Sequence, residues 1–128
     1  MNKKETALLY ATAWEKLDFS IFFNHLSDKC HYSSQYVFEE LDSKQKIIDY
    51  LTGKVEAVKK SSGTVVARLA KLTGSATLSN MPGDYCVAMY QEGDEAISAI
   101  VLFEAKNNLI ERFDLCMPEL YPIELIDE

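Results

Sequence analysis

Asp114 is the residue of this chain best suited to moving a proton, a carboxylate set between Phe113, Leu115 and Cys116. Burial among such neighbours raises a carboxyl pKa, as general acid or base work requires. Arg112, two positions earlier on the same strand face, supplies the competing reading, an ion pair that holds both charges for structural reasons. Tyr32, Tyr36 and Tyr90 carry hydroxyls that could donate to a carbonyl oxygen, as oxyanion stabilisers do. Their plainer role is aromatic core with hydroxyls at the rim. His25 and His31 stand alone in the sequence, and a lone strand histidine is more often a satisfied or surface residue than a base. No Ser–His–Asp or Cys–His arrangement, Gly-rich phosphate loop or metal-ligand spacing is present, so neither a metal nor a cofactor is expected.

The bulk of the chain narrows the setting for that chemistry. Its 128 residues suit one domain, 1–128, and can bury a core without metals or disulfides. A net charge of −7 argues against nucleic acid and against an anionic membrane surface as partners. Cys30, Cys86 and Cys116 are odd in number and far apart, which reads as reduced, mostly buried thiols. The start, Met1 to Thr6, lacks the apolar run of a signal peptide, and no stretch is long enough for a membrane span. A cytoplasmic location is the expectation.

The elements that must position these residues can be read from periodicity. Tyr10, Ala13, Trp14 and Leu17 form one stripe of a helix over Lys4 to Leu17. Asp18 is placed to cap a short second helix carrying Phe19, Phe22, Phe23 and Leu26. An extended segment between Asp28 and Phe38 precedes a third helix starting at Asp42 or Ser43, with Gln45 placed to complete a capping box from Asp42. The second half reads as strands at Thr64–Thr73, Ala76–Ser79, Tyr85–Glu92, Glu95–Lys106 and Leu109–Cys116. Residues 117–128, with two prolines, read as a tail over the surface.

Two-residue hairpin loops at Gly93-Asp94 and Asn107-Asn108 would place Val101 opposite both Asp114 and Cys86. One face then gathers Tyr90, Phe103, Arg112 and Asp114, and the other Val87, Met89, Ile100, Leu102, Phe113 and Leu115. Both faces are apolar, and the helices can blanket only one. The second is expected to be covered by another copy of the chain, giving a homodimer through the outer sheet face, or else by the C-terminal tail. A loop one residue longer would exchange the faces.

The segment Tyr32-Ser33-Ser34-Gln35-Tyr36-Val37, followed by Leu41 and Lys46-Ile47-Ile48-Asp49-Tyr50-Leu51, resembles the SnoaL-like signature of the nuclear transport factor-2-like superfamily. Asp42-Ser43 stands near where that family usually places Gly. The resemblance runs over roughly Leu8 to Cys116. It implies an α+β, cystatin-like cone, with three N-terminal helices packed on a curved antiparallel sheet around a pocket. Arg112-Phe113-Asp114-Leu115 also looks like the last strand of limonene epoxide hydrolase, whose Asp orients or activates water and matches Asp114. The Arg and Asp that those hydrolases carry on an earlier strand have no counterpart in Tyr85–Tyr90, so epoxide hydrolysis is not supported. Ketosteroid isomerases of this fold pair a basic Asp with a Tyr and a second acid, of which only a lone acid and tyrosines can be matched here.

Three expectations of function follow. The first is a small, largely apolar molecule bound in a cone lined by Trp14, Tyr32, Tyr36, Tyr90, Phe103 and Asp114, with Arg112 beside them. The second is a cofactor-independent isomerase, dehydratase or hydrolase with Asp114 as acid or base and Tyr90 as electrophilic partner. The third is a non-catalytic interaction or assembly module whose cone is merely filled.

Overall fold

A computed structural model of the chain describes residues 1–36, 39–61, 63–74, 80–91 and 96–126. Helix α1, Lys3–Lys16, opens on Asn2, whose side chain accepts from the Glu5 amide at 2.8 Å. It buries Tyr10, Ala13 and Trp14 and closes on Leu17 in the left-handed region (φ 51°). The Asp18 carboxylate accepts from the Ser20 amide at 2.9 Å at the start of the short helix α2, Ser20–Asn24. Strand β1, Leu26–Ser34, leads to helix α3, Lys44–Lys60. Its cap is Ser43, which accepts from the Lys46 amide at 3.2 Å. The expected Asp42–Gln45 box does not form, because longer i,i+4 partners take both side chains. Asp42 meets Lys46 at 2.9 Å and Gln45 meets Asp49 at 2.9 Å.

Strands β2 (Val65–Leu72), β3 (Tyr85–Gln91), β4 (Ala99–Lys106) and β5 (Leu109–Cys116) follow, then a 3-10 turn at Pro118–Leu120 and strand β6 (Ile123–Leu125). The six strands form one sheet in the order β1-β5-β4-β3-β2-β6. Only the β1–β5 pair is parallel. Helix α1 packs on β2, β3 and β4, and α3 packs on β1. The expected strand Ala76–Ser79 and the Gly93-Asp94 turn lie outside the described residues.

Register differs from the expectation, and the difference exchanges the faces. Asn107 and Asn108 both take positive φ (54° and 63°), and next to them Lys106 faces Leu109 and Ala105 faces Ile110, as a two-residue loop dictates. A bulge between Glu104 and Ala105 then slips the pairing by one. Asp114 therefore faces Leu102, and Phe113 faces Phe103. On the other side Val101 faces Val87 rather than Cys86. Since strand side chains alternate, each slip carries them across the sheet.

The helix-side core holds Leu69, Val87, Met89, Val101, Phe103, Ile110 and Phe113 with Tyr10, Trp14 and Phe22. Ala70, Leu72, Cys86, Ala88, Ile100, Leu102 and Cys116 form a second buried cluster on the outer face. Tyr121, Ile123 and Leu125 pack against this second cluster. The expected dimer surface is thereby corrected. Val87, Met89, Phe113 and the half-buried Leu115 belong to the helix side, whereas Ile100 and Leu102 are buried on the outer side within a single chain. The six do not share a face, and the segment expected as a tail contributes cover and a sixth strand. Among the described residues no helix is long and apolar enough to cross a membrane.

Candidate functional site

A cavity of about 300 Å³ opens between α1, α3 and one end of the sheet. Helix α1 gives it Tyr10 and Trp14, β1 gives Tyr32 and Ser34, α3 gives Tyr50, Leu51, Lys54 and Val58, and the sheet gives Val65, Met89 and Leu115. Tyr36 closes one side of the mouth, 52% exposed as a residue and with its hydroxyl donating to the Ser98 carbonyl at 2.9 Å. Alternation along β1 explains why Tyr32 and Ser34 enter this space while His31 and Ser33 point the other way.

The polar groups of the wall are hydroxyls, one indole and the Lys54 ammonium. Burial pushes Tyr10 up to about 12, with the Trp14 indole nearby working in the opposite direction. That indole N–H finds no acceptor at hydrogen-bonding geometry. Burial also drives Tyr32 far up, and the hydroxyls of Tyr10 and Tyr50 push the same way. These phenols stay neutral at physiological pH. Their raised values make the fold alkali-labile: the stabilising contribution is complete below the ordinary tyrosine value of about 10 and falls as pH rises above it. Tyrosinate absorbance of Tyr10 and Tyr32 should therefore appear together with cooperative unfolding. Titration of all seven tyrosines near pH 10 in a folded chain would refute this.

Three sequence-expected site residues, Trp14, Tyr32 and Tyr36, line the cavity, and four do not. Phe103 is fully buried beneath it, in ring contact with Tyr10 at 5.5 Å. Tyr90 packs against the outer cluster. Asp114 and Arg112 lie on the outer face too, carried there by the register slip. Arg112 grips Asp114 with two donors, Nε to Oδ2 at 3.1 Å and Nη2 to Oδ1 at 2.7 Å. Ser33 donates to the same carboxylate. Arg112 also meets Glu40 at 2.8 Å, and Glu40 meets His31 at 3.0 Å. Asp114 and Glu40 together hold the Arg112 guanidinium above its usual pKa. The placement of Asp114 inside the cone, and with it the Asp114–Tyr90 acid–base pair facing a ligand there, is thus corrected.

Sequence reasoning missed Tyr10, Tyr50 and Lys54 as wall residues. The signal for two of them was available, since Tyr50 and Lys54 stand i,i+4 on α3 and must share a side. Among the described residues no group of three His, Cys, Asp or Glu side chains could hold a metal ion. The cysteines are buried and free. Burial raises Cys30 and Cys86 to about 12 and Cys116 to about 11, the reverse of what a nucleophilic thiolate needs. Two larger depressions, of about 490 and 570 Å³, lie on the outer side of α1 and carry Glu5, Lys16 and Asp18 or Glu15 and Arg68 on their walls.

No family model and no curated protein matches the chain by sequence. Solved structures do match it by shape. An NTF2-like (nuclear transport factor-2-like) protein from Cytophaga hutchinsonii superposes with a TM-score of 0.58 at 9% identity, over 91% of this chain and 90% of that one. A SnoaL-like protein from Burkholderia thailandensis gives 0.58 at 13% identity, over 98% and 94%. An LEH-like epoxide hydrolase from M. tuberculosis gives 0.55 at 13% identity, over 91% and 83%. Helices packed on one curved, six-stranded sheet, with neighbours of this kind, establish that the chain has the nuclear transport factor-2-like fold.

Proposed function

We propose that this protein binds a small, largely apolar molecule in the cavity between α1, α3 and β1. The observation that carries the reading is the make-up of the wall, which is aromatic and aliphatic with a few neutral hydroxyls and Lys54, and among the described residues has no carboxylate. Ligand sites are commonly built this way, apolar for affinity and with sparse polar groups for orientation. Its size fits the reading, because a cavity of about 150 Å³ already admits benzene, so about twice that suits a two-ring or short-chain molecule. The outward position of Asp114, whose carboxylate accepts from Arg112 twice and from Ser33, favours binding over an acid–base reaction in this cavity.

Trp14 is the single tryptophan and stands in the wall, so its emission reports occupancy. Titration with neutral methyl 3-phenylpropionate should change that emission saturably. Val58→Phe narrows the space and should weaken the response about tenfold, a loss of about 1.4 kcal/mol. A flat titration, or one indifferent to Val58→Phe, would remove the cavity from consideration. Native mass spectrometry of the purified protein would identify a molecule carried along.

A further inference from the structure

We propose that the occupant of this cavity is an amphipathic monocarboxylate, with its apolar body inside and its carboxylate at the mouth on Lys54. The inference rests on the binding reading above and adds the chemistry of the head group. Lys54 is the one charged side chain in the wall among the described residues. One turn beyond Tyr50 on α3, its ammonium lies 5.5 Å from the Tyr50 ring centroid, and that ring also lines the cavity. The cation–π contact holds the charge over the rim.

No carboxylate among the described residues neutralises this ammonium, although the chain has 20 acidic residues against 13 basic ones. Carboxylates do match Lys3, with Asp84 at 2.8 Å, Lys46, with Asp42 at 2.9 Å, and Arg112, with Asp114 at 2.7 Å. What sets Lys54 apart from the remaining lysines is its place in the wall of this cavity. A ligand anion can supply what the chain does not. Its position follows from the rest of the wall. Deep in the cavity the donors are neutral, the Tyr10 and Tyr32 hydroxyls and the Trp14 indole N–H, and no cation is present among the described residues, so a carboxylate there would lose its hydration with no opposite charge to offset it. At the mouth it keeps water on one side and gains the ammonium on the other. An amine is disfavoured throughout, because the wall offers it no carboxylate among the described residues.

The test is calorimetric titration with 3-phenylpropionate and with its methyl ester, on the wild type, Lys54→Gln, Lys54→Arg and Val58→Phe. Lys54 is solvent-exposed, so its variants should fold as the parent does. Wild type should prefer the acid over the ester by about fivefold, the scale of a solvent-exposed ion pair, and added salt should shrink the preference. Lys54→Gln should abolish the preference by weakening the acid alone, and Lys54→Arg should keep it. Equal binding of acid and ester by the wild type, or a preference that survives in Lys54→Gln, overturns the head-group inference while the cavity reading stands. Failure of both probes to bind, or binding unaltered by Val58→Phe, overturns the two together.

Discussion

Phe113→Ala is expected to lower stability by about 3–5 kcal/mol, the range for truncating a buried aromatic side chain. Phe113 is fully buried and is the meeting point of four other rings. Centroid distances are 4.6 Å to Tyr32, 5.4 Å to Phe22, 5.9 Å to Tyr10 and 6.4 Å to Phe103. Those rings come from α1, α2, β1 and β4, so no single element can shift to fill the void. A domain of this size has about 5–15 kcal/mol in total, so the variant should be partly unfolded at physiological temperature. Urea denaturation checks this through a lowered midpoint at unchanged slope. A loss under about 1 kcal/mol would mean that the cluster is far looser than the ring distances imply.

Leu102→Glu should be about as damaging, for a different reason. Leu102 is 1% exposed at the centre of the outer cluster and faces Asp114 across the β4–β5 ladder. The substitution removes about 2–3 kcal/mol of apolar burial and adds a carboxylate that must be desolvated. It also sets like charges directly opposite one another, with Glu104 two residues along the same strand. The total should exceed about 4 kcal/mol, whereas Leu102→Met should cost less than about 1.5 kcal/mol. The expected product is an unfolded or aggregating chain, because this side chain is already covered by its own polypeptide. A folded, soluble glutamate variant of wild-type stability would show that the outer cluster is open to water.

Local signals in the sequence carried much of this architecture. The Tyr10, Ala13, Trp14 stripe, the Asp18 carboxylate at the second helix and the Asn107-Asn108 turn all express interactions spanning four residues or fewer. The faces of the sheet were beyond such signals. One extra residue at the Glu104–Ala105 bulge moved Arg112 and Asp114 outward and Phe113 inward, and a bulge depends on tertiary packing as much as on residue type. This slip and the separate one between β3 and β4 explain why Asp114 and Tyr90 separated from the rest of the expected site. Trp14, Tyr32 and Tyr36 are positioned by α1, β1 and the turn after it, outside the slipped strands, whereas Tyr90 lies on β3 and Asp114 on β5, whose registers against β4 both differ from the expectation. Strand β6 was legible in retrospect, since Ile123 and Leu125 alternate with Glu124. Two nearby prolines made the segment read as a tail.

The parallel pairing of β1 with β5 has a kinetic consequence. It joins Leu26 to Ile110 and Tyr32 to Phe113, closing a loop far longer than the tight β4–β5 hairpin. Such closure loses entropy before any contact rewards it, so β1 should dock after β3, β4 and β5 have assembled. By the same reasoning, β1 is an edge strand that should detach in partial openings of the native state, ahead of global unfolding. Tyr32 and Ser34, which β1 lends to the cavity wall, would then be the last parts of the wall to form and the first to leave. Amide protons of β1 should exchange faster than those of β4, and a bound molecule should slow β1 more than any other strand.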